Sequence, residues 1–77
     1  MNQWHNANEW PEDCKTIDSE IEVETITGKQ LKCITMGWGF KENIPNENFV
    51  FGIIWVKRWR YIGKEKPIQN FKNLNGA

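Results

Sequence analysis

Side chains that carry out chemistry are scarce in this sequence. It has one histidine, His5, one serine, Ser19, and two cysteines, Cys14 and Cys33. A Gly-rich phosphate loop and a Gly-x-Ser-x-Gly elbow are both missing, so phosphoryl and acyl transfer have no visible machinery, and the reading is a non-enzymatic protein. A zinc site built from His5, Cys14 and Cys33 would lack a fourth ligand, and His5 reads as a solvated or capping residue. Glu20, Glu22 and Glu24 are spaced at i, i+2 and i+4, but no turn beside them supplies the further oxygens that calcium needs. No metal and no cofactor is expected.

Long apolar runs are also missing. The longest, Phe49 to Val56, is broken by Gly52 and falls well short of a membrane span of about 20 residues. The first residues, Met-Asn-Gln-Trp-His, contain neither a charged nor an apolar signal region. The expectation is a cytoplasmic protein with reduced thiols, in which a Cys14–Cys33 disulfide is the less favoured state. An excess of basic charge is lacking too, since the net charge is zero. That argues against a DNA-coating protein, whose footprint is a basic domain.

The zero hides a segregation. Residues 1 to 26 hold seven acids against Lys15, a balance of −6, and the remainder holds nine bases against Glu42, Glu47 and Glu65, a balance of +6. The halves either form two charged surfaces or pair with each other in the fold, and internal pairing is the favoured outcome.

What the chain does have is aromatic bulk: five tryptophans, four phenylalanines and Tyr61 in 77 residues. A domain this short supports one small core. Each fully buried tryptophan removes about 200 Å² from water, worth about 5 kcal/mol as an upper bound. Aromatic burial is therefore the expected source of stability.

Residues 1 to 18 show neither helical nor strand period and read as an irregular arm, anchored by Trp4 and Trp10 and able to cover a sheet edge. Glu20-Ile21-Glu22-Val23-Glu24-Thr25 alternates as a half-buried strand does. A three-residue loop at Ile26-Thr27-Gly28 places Leu31 and Cys33 beside Val23 and Ile21, sets Lys32 opposite Glu22, and requires Gly28 in a left-handed conformation. The partner strand is expected over about 30 to 36. It ends in Gly37-Trp38-Gly39-Phe40, whose glycines permit a bend or a close backbone approach. Lys41 to Asn48 reads as a surface loop.

Phe49 to Ile62 would extend about 46 Å as one strand, whereas a globule of this length is about 30 Å across. The run must divide, with Gly52 and then Trp55 as break points. Residues from 68 onward read as a disordered tail, so the domain is expected to span 1–67 with a tail at 68–77. The fold class is all-β. Its architecture is a partly open, SH3-like small barrel or an antiparallel sheet packed by its arm.

In the last strand, period two places Trp55, Lys57, Trp59 and Tyr61 on one face and Val56, Arg58, Arg60 and Ile62 on the other. If the aromatic face is buried, Arg58 and Arg60 point outward and can meet Glu20, Glu22 or Glu24. In the reverse arrangement, Trp55, Lys57, Trp59 and Tyr61 form a platform for stacking single-stranded bases. A bulge midway would change the parity and mix the two.

The order Trp10-Pro11-Glu12-Asp13, Ile21-Glu22-Val23, Gly28-Lys29, Gly37-Trp38-Gly39-Phe40 and Trp59-Arg60-Tyr61 resembles that of small uncharacterised proteins of tailed phages and prophages. The resemblance covers about residues 10 to 62 and implies an accessory protein of the host bacterial cytoplasm. The functional expectation is a protein-binding module, a modulator or inhibitor of a host or defence protein. It would act through the strand face of Glu20, Glu22 and Glu24 or through the stripe of Arg58 and Arg60. The alternatives are single-stranded nucleic-acid binding through the aromatic platform and a structural subunit that self-associates through a strand edge.

Overall fold

A computed structural model describes residues 2–12, 18–46 and 48–70. Every regular element among them is a strand except for one short 3-10 turn, as the β-branched and aromatic composition requires. The strands are β1 (His5–Asn6), β2 (Glu9–Pro11), β3 (Glu20–Thr25), β4 (Gln30–Met36), β5 (Gly39–Glu42), β6 (Val50–Gly52), β7 (Val56–Tyr61) and β8 (Ile68–Asn70). Six of them form one antiparallel sheet in the order β1-β7-β3-β4-β5-β6, and β2 and β8 pair separately. The sheet is not closed into a barrel, since β1 and β6 both end it as edges; of the expected architectures it is the antiparallel sheet packed by its arm.

The centre of the sheet follows the alternation of its sequence. Across β3 and β4, Ile21 faces Cys33, Glu22 faces Lys32 and Val23 faces Leu31, the register of a three-residue loop. Thr25 accepts from the Gly28 N–H and donates its own N–H to the Lys29 carbonyl, and Gly28 takes φ 94°. This is the type I turn with a G1 bulge that the glycine permits. The next connection, Gly37-Trp38, links Met36 to Gly39. Gly37 takes φ 59°, so only the first loop residue has positive φ, the pattern of a type II′ turn. Gly39 is required for a different reason: a Cβ there would lie 2.5 Å from the Phe51 carbonyl oxygen. The absent side chain lets β6 approach β5.

Lys41 and Glu42, expected in a loop, continue β5 and pair with Ile34 and Cys33. Strand pairing outweighs their charge because β4 offers a free edge there. The run from Phe49 to Ile62 divides where expected. β6 stops at Gly52, the 3-10 turn Ile53–Trp55 carries the chain past the β3–β4 hairpin, and β7 begins at Val56. The Ile26 N–H donates to the Trp55 carbonyl at 3.0 Å and fixes that crossing.

The arm is not irregular throughout. β1 adds to β7 and covers that edge, with His5 opposite Trp59. β2 pairs with β8, with Trp10 opposite Gln69 and Pro11 opposite Ile68. Ile68–Asn70 is thus a strand rather than the start of a tail, which moves the expected boundary at 67; residues 71–77 lie outside the described residues. Two side chains reinforce the small sheet: Gln69 Nε2 donates to the Pro11 carbonyl at 3.0 Å, and Tyr61 Oη donates to the Pro67 carbonyl at 3.3 Å.

The core lies between this small sheet and one half of the large one. Trp10, Ile21, Val23, Cys33, Phe40, Val56, Trp59 and Tyr61 are buried together. The Trp10 and Trp59 rings meet edge to face at 5.5 Å. Both indole N–H groups are satisfied: Trp10 Nε1 donates to the Gly37 carbonyl at 2.9 Å and Trp59 Nε1 to the Glu9 carbonyl at 2.7 Å. The arm is thereby pinned at two separate points of the sheet.

Trp10→Ala should cost about 3–5 kcal/mol, comparable with the whole stability of so small a domain, and abolish the cooperative transition in a urea titration. Trp10→Phe, which loses a donor and part of the area, should retain that transition at a lower midpoint. Burial, aided by the Glu42 carboxylate, pushes the Cys33 thiol up to about 12. Peptide mapping after brief alkylation at neutral pH should therefore find Cys33 unmodified in the native protein and modified in urea.

Candidate protein-binding edge and pocket

The sheet sorts charge by side. β3 alternation sends Glu20, Glu22 and Glu24 to the face opposite the core, where β7 supplies Arg60 opposite Glu22 and Arg58 opposite Glu24. The pairs are close: Arg60 Nη2 to Glu22 Oε1 is 2.7 Å, and Arg58 Nε to Glu24 Oε1 is 2.7 Å. Lys57 Nζ adds a third cation 3.6 Å from Glu24 Oε2. Trp4 lies over the arginines, its ring centre 4.2 Å from Arg58 Cζ and 4.4 Å from Arg60 Cζ, a double cation–π contact. The acidic and basic halves of the chain thus meet across one strand pair.

Glu22, Glu24, Arg58 and Arg60 are brought together as expected, but they face each other, and a partner would have to break these pairs to use them. Glu20 stands exposed at the end of the row, opposite Ile34. The Arg58 guanidinium, through its hydrogen bond and charge, holds the Glu24 carboxyl below its ordinary value; Lys57 adds to the effect, and partial burial opposes it.

The second candidate, Trp55, Lys57, Trp59 and Tyr61, is not one exposed platform. Trp59 is 0% and Tyr61 3% exposed, whereas Trp55 is 47% exposed. A register shift between Glu24 and Thr25 explains the split. Arg58 pairs with Glu24 but Val56 pairs with Thr25, so Lys57 is an extra residue bulged from β7. Val56 is buried beside the aromatic residues rather than facing outward, and Trp55 falls in the 3-10 turn.

For His5, expected as a solvated or capping residue, the fold removes the solvated option. The histidine side chain is 10% exposed, its ring centre lies 4.8 Å from that of Trp59, and Nδ1 and Nε2 stand 3.1 Å from Glu9 and 3.5 Å from Glu65. The pairing of β1 with β7 turns the ring inward. Ser19 is also buried; its N–H donates to Thr35 Oγ1 at 2.9 Å, and its carbonyl accepts from the Thr35 N–H. Among the described residues no three His, Cys, Asp or Glu side chains converge as a metal site. Cys33 is a free thiol, and Cys14 lies outside the described residues.

What the sequence did not single out is the other half of the core face. The small β2–β8 sheet does not reach it, and a cavity of about 250 Å³ opens there. Leu31, Phe40, Phe51 and Trp55 form its walls, with Thr25, Thr27, Lys29 and Glu42 at its rim. Phe40 and Phe51 are stacked at 5.5 Å, and Phe49 leans on Phe51 at 4.8 Å. Phe51 belongs to β6, an edge of the sheet that no strand of the described residues covers.

Among the described residues, that edge is short but has neither charge nor proline to protect it. β6 reads Val-Phe-Gly, with Phe49 before it and Ile53-Ile54-Trp55 after it: no charge, no proline, and two outward apolar groups in Phe49 (63% exposed) and Ile54 (80% exposed). The opposite edge, β1, is two polar residues long. Soluble sheets normally blunt edges with lysine, proline or brevity. The only hint in the sequence was the uncharged run from Phe49 to Val56, which reads equally well as core.

No family model, curated protein or solved structure matched the chain. Among the described residues, no helix is long and apolar enough to cross a membrane. The class that fold and site define is a small antiparallel β domain in which, among the described residues, the β6 edge lies open beside an apolar pocket.

The charged face yields a pH prediction. Glu24 is depressed in the folded state, so its stabilisation is complete above the unfolded carboxylate value of about 4.3 and is lost as pH falls through the lower folded value. The urea midpoint should therefore drop on acidification through that window, and Glu24→Gln should start lower and drop less.

Proposed function

We propose that this chain is a non-enzymatic protein-binding module that accepts an extended segment of a partner along β6, seating one apolar side chain of that segment against Phe51 and Trp55. What supports the reading is the conjunction of an open, uncharged strand edge with an adjoining apolar cavity. Strand addition uses both parts: backbone hydrogen bonds supply affinity, and pockets that take alternate side chains supply selectivity. The binding surface thereby moves away from Glu22, Glu24, Arg58 and Arg60, whose charges face one another, and from Glu20 at the end of that row. The setting we propose is that of a phage accessory protein acting as a modulator or inhibitor of a host or defence protein.

Selection from a random decapeptide display library tests this directly. Retained peptides should alternate apolar and polar residues, and titrating one into labelled protein should shift the amides of Val50–Gly52 and the Trp55 indole. Trp55→Ala, at an exposed position, should weaken binding about tenfold, equivalent to about 1.4 kcal/mol, with little change in stability. Shifts confined to the Glu22–Arg60 face, or no retained peptide, would overturn the proposal.

A further inference from the structure

We infer that β6 also pairs with β6 of a second copy of this chain, forming a weak two-fold dimer that occupies the proposed binding edge. This rests on reading β6 as a strand-accepting edge and names one occupant of it. Three observations point to a second copy. First, the edge is self-complementary. An antiparallel pairing centred on Phe51 sets Val50 against the partner's Gly52, a methyl-bearing side chain against a residue with none, and Phe49 against the partner's Ile53. It also brings two Phe49–Phe51 ring pairs together on the pocket side, the kind of cross-strand aromatic contact that stabilises sheets. Second, two copies do not repel: the net charge is zero, and none of residues 49 to 56 is charged.

Third, the area is of the right order for a reversible dimer. Phe49 is 63%, Val50 46%, Ile54 80% and Trp55 47% exposed. With about 200 Å² for each aromatic side chain and less for each aliphatic one, the patch offers on the order of 450 Å² of apolar surface per copy. A pair would bury roughly 900 Å², just under the 1,000 Å² or so that marks a specific interface. The dimer is accordingly weak and concentration-dependent. It also regulates the site, because a partner segment and the second copy compete for the same backbone groups.

Sedimentation equilibrium on the full chain, from micromolar to millimolar concentration, tests the inference. The weight-average mass should rise from 9.1 kDa toward twice that value. Val50→Lys and Ile54→Lys, both at exposed positions, should each hold it near 9.1 kDa with an unchanged circular dichroism spectrum and urea midpoint. A wild-type mass that stays at the monomer value throughout, or two lysine variants that associate like the wild type, would overturn the dimer. The two proposals fail separately. Peptides that bind β6 of a strictly monomeric protein sink the dimer alone, whereas lysine-sensitive dimers without any peptide bound sink the partner reading alone.

Discussion

The burial of Trp59 beneath Trp10 is the contact on which the rest of the molecule depends. Trp59 sits on β7 with no exposed surface, touched by His5, Trp10 and Tyr61, and its indole N–H is bound to the Glu9 carbonyl. Once that ring faces inward, the pleat leaves Arg58 and Arg60 no choice but the opposite face. There β3, whose own alternation buries Ile21 and Val23, has already placed Glu22 and Glu24. The ion pairs are thus a consequence of hydrophobic register more than a cause of it. Partly exposed pairs of this kind contribute modestly. What they do strongly is oppose slippage, since a one-residue shift would put arginines into the core and leave glutamates unpaired.

The arm is secured by the same contact. A two-residue strand such as β1 has almost no stability of its own. It persists because its neighbours reach both sides of the sheet: Trp4 lies over the arginines, while His5 and Trp10 lie against the core. Straddling an edge in this way closes it more thoroughly than one added strand would. The same economy limits coverage. Three residues of β2 and three of β8 can roof the Trp59–Tyr61 half of the sheet but not the half over Leu31 and Phe51. Among the described residues, an uncovered half-face is what remains once Trp10, Trp59 and Tyr61 are committed to one core.

How much of this was legible in the sequence depends on the range of the signal involved. β3, its loop and the register of β4 are local: parity and one glycine decide them, and Ile21, Val23, Leu31, Cys33 and Gly28 suffice. The division of Phe49 to Ile62 follows from chain length against globule size, a global constraint that needs no contact to be known. The misread elements are those whose structure is supplied by a distant partner. His5–Asn6 and Glu9–Pro11 become strands only because β7 and β8 lie beside them, and Ile68–Asn70 becomes one only through β2. Lys57 is intermediate: a bulge midway along the strand is among the expected arrangements, but its position is set from outside the segment. No property of Trp55-Val56-Lys57-Arg58 marks the bulge, which arises because Thr25 must end β3 opposite Val56 while the hairpin beyond it binds Trp55.

That bulge also separates the aromatic-basic segment into parts with different work to do. Without it, Trp55 would share a face with Trp59 and Tyr61, and either all three would be core or all three would be surface. With it, Trp59 and Tyr61 hold the arm while Trp55 is released to the wall of the open pocket. The open edge has the same origin. Gly39 lets β6 pack close on β5, and Gly52 ends β6 after three residues, so the strand is short and its last position has no side chain. A longer β6 carrying one outward lysine would have kept the sheet and closed the site. The positions that could have protected the edge are instead Phe49, Val50 and Ile54, residues that gain nothing from water and a good deal from a partner strand.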